Sequence, residues 1–470
     1  MNILLPLIIP IAGAFIILLP FSEKARKWMA FAFSLATAIV VLWLYKGYLS
    51  GAALYYKKTM PFSMDFYFSA DIFSLIIASM SAVTGMLIVL YSTAYMKSKA
   101  GISEFYFFIL IFISAMMGIV FSRNCVWLYV FWEIAAVCSW RLIGYDRLPS
   151  HVRAANKAFL ITFGAAAFML VGFVCIFLRF GTFNMDGLAG NTIPLYIFVL
   201  IFTGMLAKSA IFPLHTWLPD AGVAPSPVTA FLHAAVLVKI GIYAFVRFFY
   251  YVFDIGGGAI YWVSFLAILS AIIAGSVALV EKDVKRILAY STISQISFIM
   301  FGLGLFSKTA FAGALIYIIA HATGKAGLFL CAGIIEQQTG ERDITKVSGL
   351  INNMPLTFLA FIFCSFSIMG MPPFIGFFGK LDIILGSAGS GGVFLTFLAI
   401  IASILTLLYI VRLARYLFFG NSSHLSAKDG SFIMVSTVLV FAFLSLFGGF
   451  LVFFADTVMP EIFLNMPVFK

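Results

Sequence analysis

Four lysines and one glutamate interrupt long apolar runs of this 470-residue chain: Lys208, Lys239, Lys325, Lys380 and Glu133. A charge at the centre of a membrane-spanning helix costs roughly 2.5–3.5 kcal/mol even on a lenient insertion scale, so its retention points to function. Amines and carboxylates at such depth suit the carriage of protons or other cations. Burial disfavours the charged amine, and a neighbouring carboxylate restores it. A Glu–Lys pair is therefore a switch: close together, the lysine keeps its proton, and apart, it can pass the proton on. Glu133, in VWLYVFWEIAAVCSWRLIGY, supplies the acid. Lys208 follows about 15 apolar residues and stands just before a proline-rich interruption, whose freed carbonyls can solvate an amine. The plainer alternatives are a purely structural ion pair and a lysine that snorkels to the interface.

Further stations follow along the chain. Lys239 lies in FLHAAVLVKIGIYAF, six residues after His233. His321 and Lys325, in IIAHATGKAGLFL, are four apart and share one helix face. That spacing puts a group titrating near neutral pH beside an amine, which suits a hopping chain. Lys380 follows a second proline interruption, with Asp382 close behind, and His215 lies in PLHTWLPDA. His233, His215 and Asp382 are secondary candidates. Asp220 is read as the N-cap of a second half-helix, Ser226 and Thr229 as groups that solvate the break, and Arg141 as an anchor at a helix end. Haem ligation by His215, His233 and His321 has no motif behind it. The five cysteines (Cys125, Cys138, Cys175, Cys331, Cys364) are scattered singly without a CxxC, so no iron–sulfur or zinc signature is present and they read as packing residues. No redox or hydrolytic centre is legible in the chain.

The elements that position these groups are transmembrane helices. The chain is 63% hydrophobic and 10% charged with a mean hydropathy of +1.11, which places it among all-α polytopic membrane proteins. The opening MNILLPLIIPIAGAFIILLP lacks a basic leader and a cleavage site and reads as a first span. The net charge of +11 is spread over short loops, which argues against nucleic-acid binding. About 14 spans are expected, at 2–20, 28–49, 70–95, 104–122, 124–144, 152–180, 193–234, 235–253, 259–280, 285–306, 309–336, 353–388, 392–418 and 431–457. Helix 7 is broken by Pro213, Pro219, Pro225 and Pro227, and helix 12 by Pro372 and Pro373, since each proline removes a backbone donor and clashes one turn back. Irregular backbone at membrane depth persists only inside protein or beside a wet cavity. Breaks five helices apart point to two inverted five-helix repeats, helices 4–8 and 9–13. The expected organisation is 1–103 (helices 1–3), 104–253 and 254–418 (the repeats), and 419–470 (helix 14). Of the 29 Lys and Arg residues, 17 fall in loops after odd-numbered helices and 8, Arg247 among them, after even-numbered ones or at the C-terminus; the remaining four are the intramembrane lysines. This bias puts the odd loops, including Lys285, in the cytoplasm and both termini on the outer face.

The stretch KSAIFPLHTWLPDAGVAPSPVTAFLHAAVLVKIG resembles the signature of antiporter-like membrane subunits, found in respiratory complex I, energy-converting membrane hydrogenases and Mrp-type cation/proton antiporters. FWEIAAVCSWRLIGYDR, KDVKRILAYSTISQISFIMFGLG, HATGKAGLFLCAGI and MPPFIGFFGKLDII resemble further blocks, so the likeness spans most of residues 120–390. The resemblance implies a proton- or cation-translocating subunit of a redox-driven complex in a prokaryotic cell membrane. Glu133 resembles the family's helix-5 glutamate, Lys208 its helix-7 lysine partner and Lys239 the central helix-8 lysine. His321 and Lys325 fall on the helix-11 block, and Lys380 takes the helix-12 position, where some relatives carry glutamate. It further implies membrane partner subunits and a peripheral redox arm holding iron–sulfur clusters with a nickel–iron centre or a flavin, and no cofactor in this chain. CSWRLIGYDR leans toward the hydrogenase branch, and the end soon after helix 14 is similar to the shorter subunits. A subunit of an Mrp-type Na⁺/H⁺ antiporter is the alternative, and a haem- or quinone-binding redox subunit a remote one.

Overall fold

Apolar runs this long leave the backbone no partner but itself, and in lipid that dictates helices. The structure, a computed structural model, describes residues 1–470 except 98, 256, 391, 422–426, 451–454, 465 and 470. Part of the expected helix 14 (431–457) therefore lies outside the described residues. Among those described, eleven helices are long and apolar enough to cross a membrane, and Leu5–Ile17, Leu195–Lys208 and Pro355–Met369 are shorter apolar helices.

The chain divides into two compact units. The first holds residues Met1–Lys208, Val236–Gly256 and Pro460–Lys470. Its helices are α1 (Leu5–Ile17), α2 (Glu23–Leu49), α3 (Ile72–Tyr95), α4 (Ile102–Phe121), α5 (Cys125–Ile143), α6 (Pro149–Phe180), α7 (Leu195–Lys208) and α8 (Leu237–Phe249). Between α2 and α3 the chain forms an antiparallel hairpin, Tyr55–Lys58 with Phe66–Ser69, in register Tyr55 to Ser69. The second unit holds Ser209–Ala235 and Gly257–Met459. Its helices are α9 (Gly257–Val280), α10 (Val284–Gly304), α11 (Lys308–Thr339), α12 (Pro355–Met369), α13 (Ile375–Ser390), α14 (Gly392–Phe418) and α15 (Phe432–Phe447).

Short polar residues set the helix starts. Asp71 and Ser74 form a reciprocal capping box on α3, both bonds at 2.8 Å, and the Asp283 carboxylate accepts from the Lys285 and Arg286 amides at the start of α10. Glycines in the left-handed region end the helices that stop hardest: Gly181 after α6, Gly340 after α11 and Gly370 after α12.

Both expected interruptions are present. Helix 12 parts into α12 and α13 around Gly370 and a cis Pro372–Pro373 bond. Helix 7 stops at Lys208, and the chain then runs through a cis Phe212–Pro213 bond and one-turn helical pieces at Trp217–Asp220 and Ser226–Ala230. A π-helical turn at Phe231–Ala235, which no proline or glycine announces, leads into α8. Asp220 is not the cap expected of it: it closes the first short piece, and the second starts from Pro225. A proline at 225 and another at 227 already fix the entry backbone, and the Asp220 carboxylate instead pairs with Arg286 at 3.0 Å.

Candidate ion-translocation site

Lys208 is the last residue of α7 and is 1% exposed. A helix end leaves carbonyls unpaired and carries the negative end of the dipole, so it is the natural seat for a cation in an apolar setting. The Lys208 ammonium donates to the carbonyl of Trp132 at 3.2 Å and lies 5.4 Å from that indole ring. Trp132 is the neighbour of Glu133 on α5, yet the expected Glu133–Lys208 bond is not made. Both Glu133 oxygens are enclosed, with the Tyr129 hydroxyl one turn back on α5 beside them. The acid and the amine therefore stand apart, with the amine held by the main chain beside the acid.

Lys239, 1% exposed, shares a face of α8 with Tyr243 and Arg247 at spacings of four. The Tyr243 hydroxyl donates to the Val120 carbonyl at 2.5 Å and accepts from Arg247 Nε at 3.0 Å. Arg247 grips Asp71 through two bonds of 2.7 and 3.0 Å, and Arg123 adds a third at 2.7 Å. Arg247 is wholly buried, whereas the sequence reading put it in a loop. It was counted with the loop after helix 8, and its partner lies 176 residues away in the chain.

In the second unit, Lys325 is fully buried on α11 and donates to the Ser291 hydroxyl, with the Leu288 carbonyl at 3.4 Å. His321 is buried one turn earlier. Lys380, on α13 just after the break, donates to the Met369 carbonyl at 3.4 Å and lies 5.5 and 5.8 Å from the rings of Tyr317 and Phe298. Asp382 is half-buried against α11: a Cβ at Gly313 would stand 2.7 Å from the Asp382 Cβ. His233 sits in the π-helical turn, enclosed, its ring 4.6 Å from Phe329 and both ring nitrogens without a hydrogen-bond partner among the described residues. His215 is half-buried, its ring 5.6 Å from that of Phe212. No group of three or more His, Cys, Asp or Glu among the described residues could hold a metal ion.

The broken segment has its own ionic cluster. Lys285, assigned to a loop by sequence, is 1% exposed and pairs with Glu336 at 2.7 Å. Its ammonium also donates to the Ala224 carbonyl at 3.2 Å, and the Ser226 hydroxyl donates to Glu336 at 3.4 Å. Arg342 joins Asp283 at 3.0 Å and the Gly222 carbonyl at 3.2 Å. Lysine and arginine thus take up two main-chain carbonyls of the broken segment. Thr229, expected to solvate the break, donates to the Ser226 carbonyl at 2.9 Å. Arg141, expected as an anchor, donates to Glu104 at 2.5 Å.

Residues 122–406 match the family described as NADH:quinone oxidoreductase/Mrp antiporter, transmembrane, and residues 57–106 match the complex I chain 5 N-terminus. The chain belongs to this antiporter-like family. Among its relatives, it is 36% identical over 399 residues to a Na⁺/H⁺ antiporter subunit of Alkalihalophilus pseudofirmus, covering 77% of this chain and 49% of that one. It is 34% identical over 406 residues to a Na⁺/H⁺ antiporter subunit of Staphylococcus saprophyticus, covering 80% and 50%. The chain thus spans about half the length of these curated relatives. Among solved structures, a chain of the membrane-bound sulfane sulfur reductase, an archaeal respiratory membrane complex, overlays at a TM-score of 0.91 with 25% identity, covering 100% and 98%. Within this antiporter-like fold, the buried amines were legible as apolar runs broken by lysine. Asp71, Arg247, Lys285 and Glu336 were missed because each lies close enough to a helix end to pass for a loop residue.

Proposed function

We propose that the chain is the cation-translocating membrane subunit of a multisubunit complex in a prokaryotic cell membrane. It moves protons along Glu133, Lys208, Lys239, the His321–Lys325 pair and Lys380, in that order. One observation carries this reading: the four lysines are each 4% exposed or less in a chain of membrane-spanning helices, where a purely structural amine is costly. Anionic ligands suited to Na⁺ are scarce beside them, which favours H⁺ as the ion. His233, His215 and Asp382 stand as secondary stations. The Glu133–Lys208 gap gives the switch its open arm, and closing it is the step that driving energy would bias.

The driving reaction is assigned to partners: other membrane subunits and a peripheral redox arm with iron–sulfur clusters and a nickel–iron centre or flavin. The TM-score of 0.91 to a respiratory-complex chain supports that setting. The second reading, a subunit of a gradient-driven Na⁺/H⁺ antiporter, is supported by the 36% identity to such a subunit. In either setting we assign residues 104–253 and 254–418 to inverted repeats, the odd-numbered loops to the cytoplasm and both termini to the outer face.

The test is ion movement in vesicles carrying the intact complex. Lys208→Ala and Glu133→Ala are each expected to abolish pumping while the complex still assembles. Pumping at wild-type stoichiometry in either variant overturns the reading. Pumping started by an electron donor supports the redox setting, and pumping started only by a Na⁺ pulse supports the antiporter setting.

A further inference from the structure

Between Lys325 and Lys380 runs a line of hydrogen-bonded side chains that the relay does not account for. The Lys325 ammonium donates to Ser291 on α10, and the Ser291 hydroxyl donates to Tyr409 on α14 at 2.8 Å. From the other side, the Gln295 amide, one turn along α10, donates to the same Tyr409 oxygen at 3.0 Å and to Thr406 Oγ1 at 3.0 Å. The Gln295 carbonyl accepts from the Tyr317 hydroxyl on α11. Tyr317 has a second acceptor at 3.0 Å, the Ile368 carbonyl at the end of α12, next to the Met369 carbonyl that holds Lys380. Every oxygen and nitrogen named belongs to a fully or almost fully buried residue.

The direction of these bonds is constrained. A hydroxyl can exchange its donor and acceptor roles by rotating one bond. A primary amide cannot, because its nitrogen only donates and its carbonyl only accepts. With Gln295 donating to Tyr409 and accepting from Tyr317, two conditions follow. The Tyr409 oxygen accepts from both Ser291 and Gln295, which takes up both of its lone pairs, and with the Ser291 proton on Tyr409 the Ser291 lone pairs face Lys325. At the other end, the Tyr317 proton is shared between Gln295 and the Ile368 carbonyl, beside the helix break that seats Lys380. In a medium of low dielectric, such a chain is strongly polarised and costly to leave half-satisfied.

We infer that Gln295 is a positioning residue for ion transfer between Lys325 and Lys380, setting the direction of the Ser291–Tyr409–Gln295–Tyr317 chain. It keeps an acceptor aimed at Lys325 and couples that end, through Tyr317, to the main chain at the helix-12 break. The amide itself passes no proton. This inference rests on the relay proposed above, and Lys325→Met tests that relay separately.

The experiment measures ion movement per assembled complex in vesicles, using a pH-sensitive dye. Gln295→Met keeps the length of the side chain and removes both polar atoms; it is expected to lower the rate about 100-fold, the loss that follows misplacement of a reacting group by about 1 Å. Tyr409→Phe removes one oxygen and is expected to do the same. Gln295→Glu, which keeps the acceptor for Tyr317, is expected to restore part of the rate. The double variant Gln295→Met/Tyr409→Phe should be little worse than either single, because the residues act as one unit. Two independent packing defects would instead multiply, and that result, or a wild-type rate in Gln295→Met, overturns the inference. If Gln295→Met does not assemble, Tyr409→Phe is decisive alone, and a wild-type rate in it overturns the inference. A wild-type rate in Lys325→Met overturns the relay instead.

Discussion

Asp71 holds two guanidinium groups and caps a helix with one carboxylate, so its substitutions separate charge from capping. Asp71→Asn keeps the cap, since asparagine caps as well as aspartate. It removes the charge facing Arg247, which is wholly buried, and Arg123, whose side chain is 12% exposed. Removing one partner of a buried pair costs about 3–5 kcal/mol because the other charge is stranded. Asp71→Ala loses the bond to the Ser74 amide as well and costs about 1 kcal/mol more. Arg247→Met is milder, at about 1.5–3 kcal/mol for lost charge-assisted bonds, because Arg123 still neutralises Asp71 at 2.7 Å. The order of damage is therefore Asp71→Ala, then Asp71→Asn, then Arg247→Met, although arginine is the deeper residue. Hydrogen exchange of the α3 and α8 amides in the purified complex reads these as local opening energies. At about 1.4 kcal/mol per tenfold, Asp71→Asn should speed exchange by at least about 100-fold. The double variant Asp71→Asn/Arg247→Met should fall short of the summed losses by about 0.5–3 kcal/mol. Exchange in Arg247→Met as fast as in Asp71→Asn, or strictly additive losses, would refute the reasoning.

Two further outcomes follow from the geometry. A Cβ at Gly379 would stand 2.8 Å from both the nitrogen and the Cβ of Tyr317, so Gly379→Ala must push α13 off α11, costing about 1–3 kcal/mol. Gly389→Ala, on the same helix with open space around it, should be neutral or stabilising by up to about 1 kcal/mol, and the two melting temperatures of the purified complex compare them directly. In the hairpin loop, the Met60 amide at 3.0 Å, with the Asn184 amide at 2.9 Å and Lys57 at 3.6 Å, holds the Asp65 carboxyl below its ordinary range. A lowered carboxyl stabilises the fold above its ordinary value near 4 and loses that contribution as the pH falls through the folded one. Protease cutting of residues 55–69 should therefore rise on acidification below about pH 4, and Asp65→Asn should flatten that dependence.

The helix breaks were legible because prolines cluster there: Pro213, Pro372 and Pro373 each remove a backbone donor, and the chain departs from the helix at each. The buried lysines were legible because a charge inside a long apolar run is costly and stands out. The partners were not. Arg247 finds Asp71 across 176 residues and Gln295 finds Thr406 across 111, distances over which composition and spacing carry no information. The Glu133–Lys208 bond was implied by the family resemblance, but the Lys208 ammonium donates to a main-chain oxygen of α5, the Trp132 carbonyl. The π-helical turn was invisible because its five residues, FLHAA, are ordinary helix formers.

Lys208, Lys285, Lys325 and Lys380 each rest on a main-chain oxygen: those of Trp132, Ala224, Leu288 and Met369. Such an acceptor has no codon of its own. Point mutation cannot delete it, and drift in the side chains around it leaves it in place. Half of each contact is thereby written in the path of the backbone, which an alanine scan passes over in silence. An ester in place of the amide, which weakens that one carbonyl as an acceptor while leaving every side chain untouched, would be the way to make it speak.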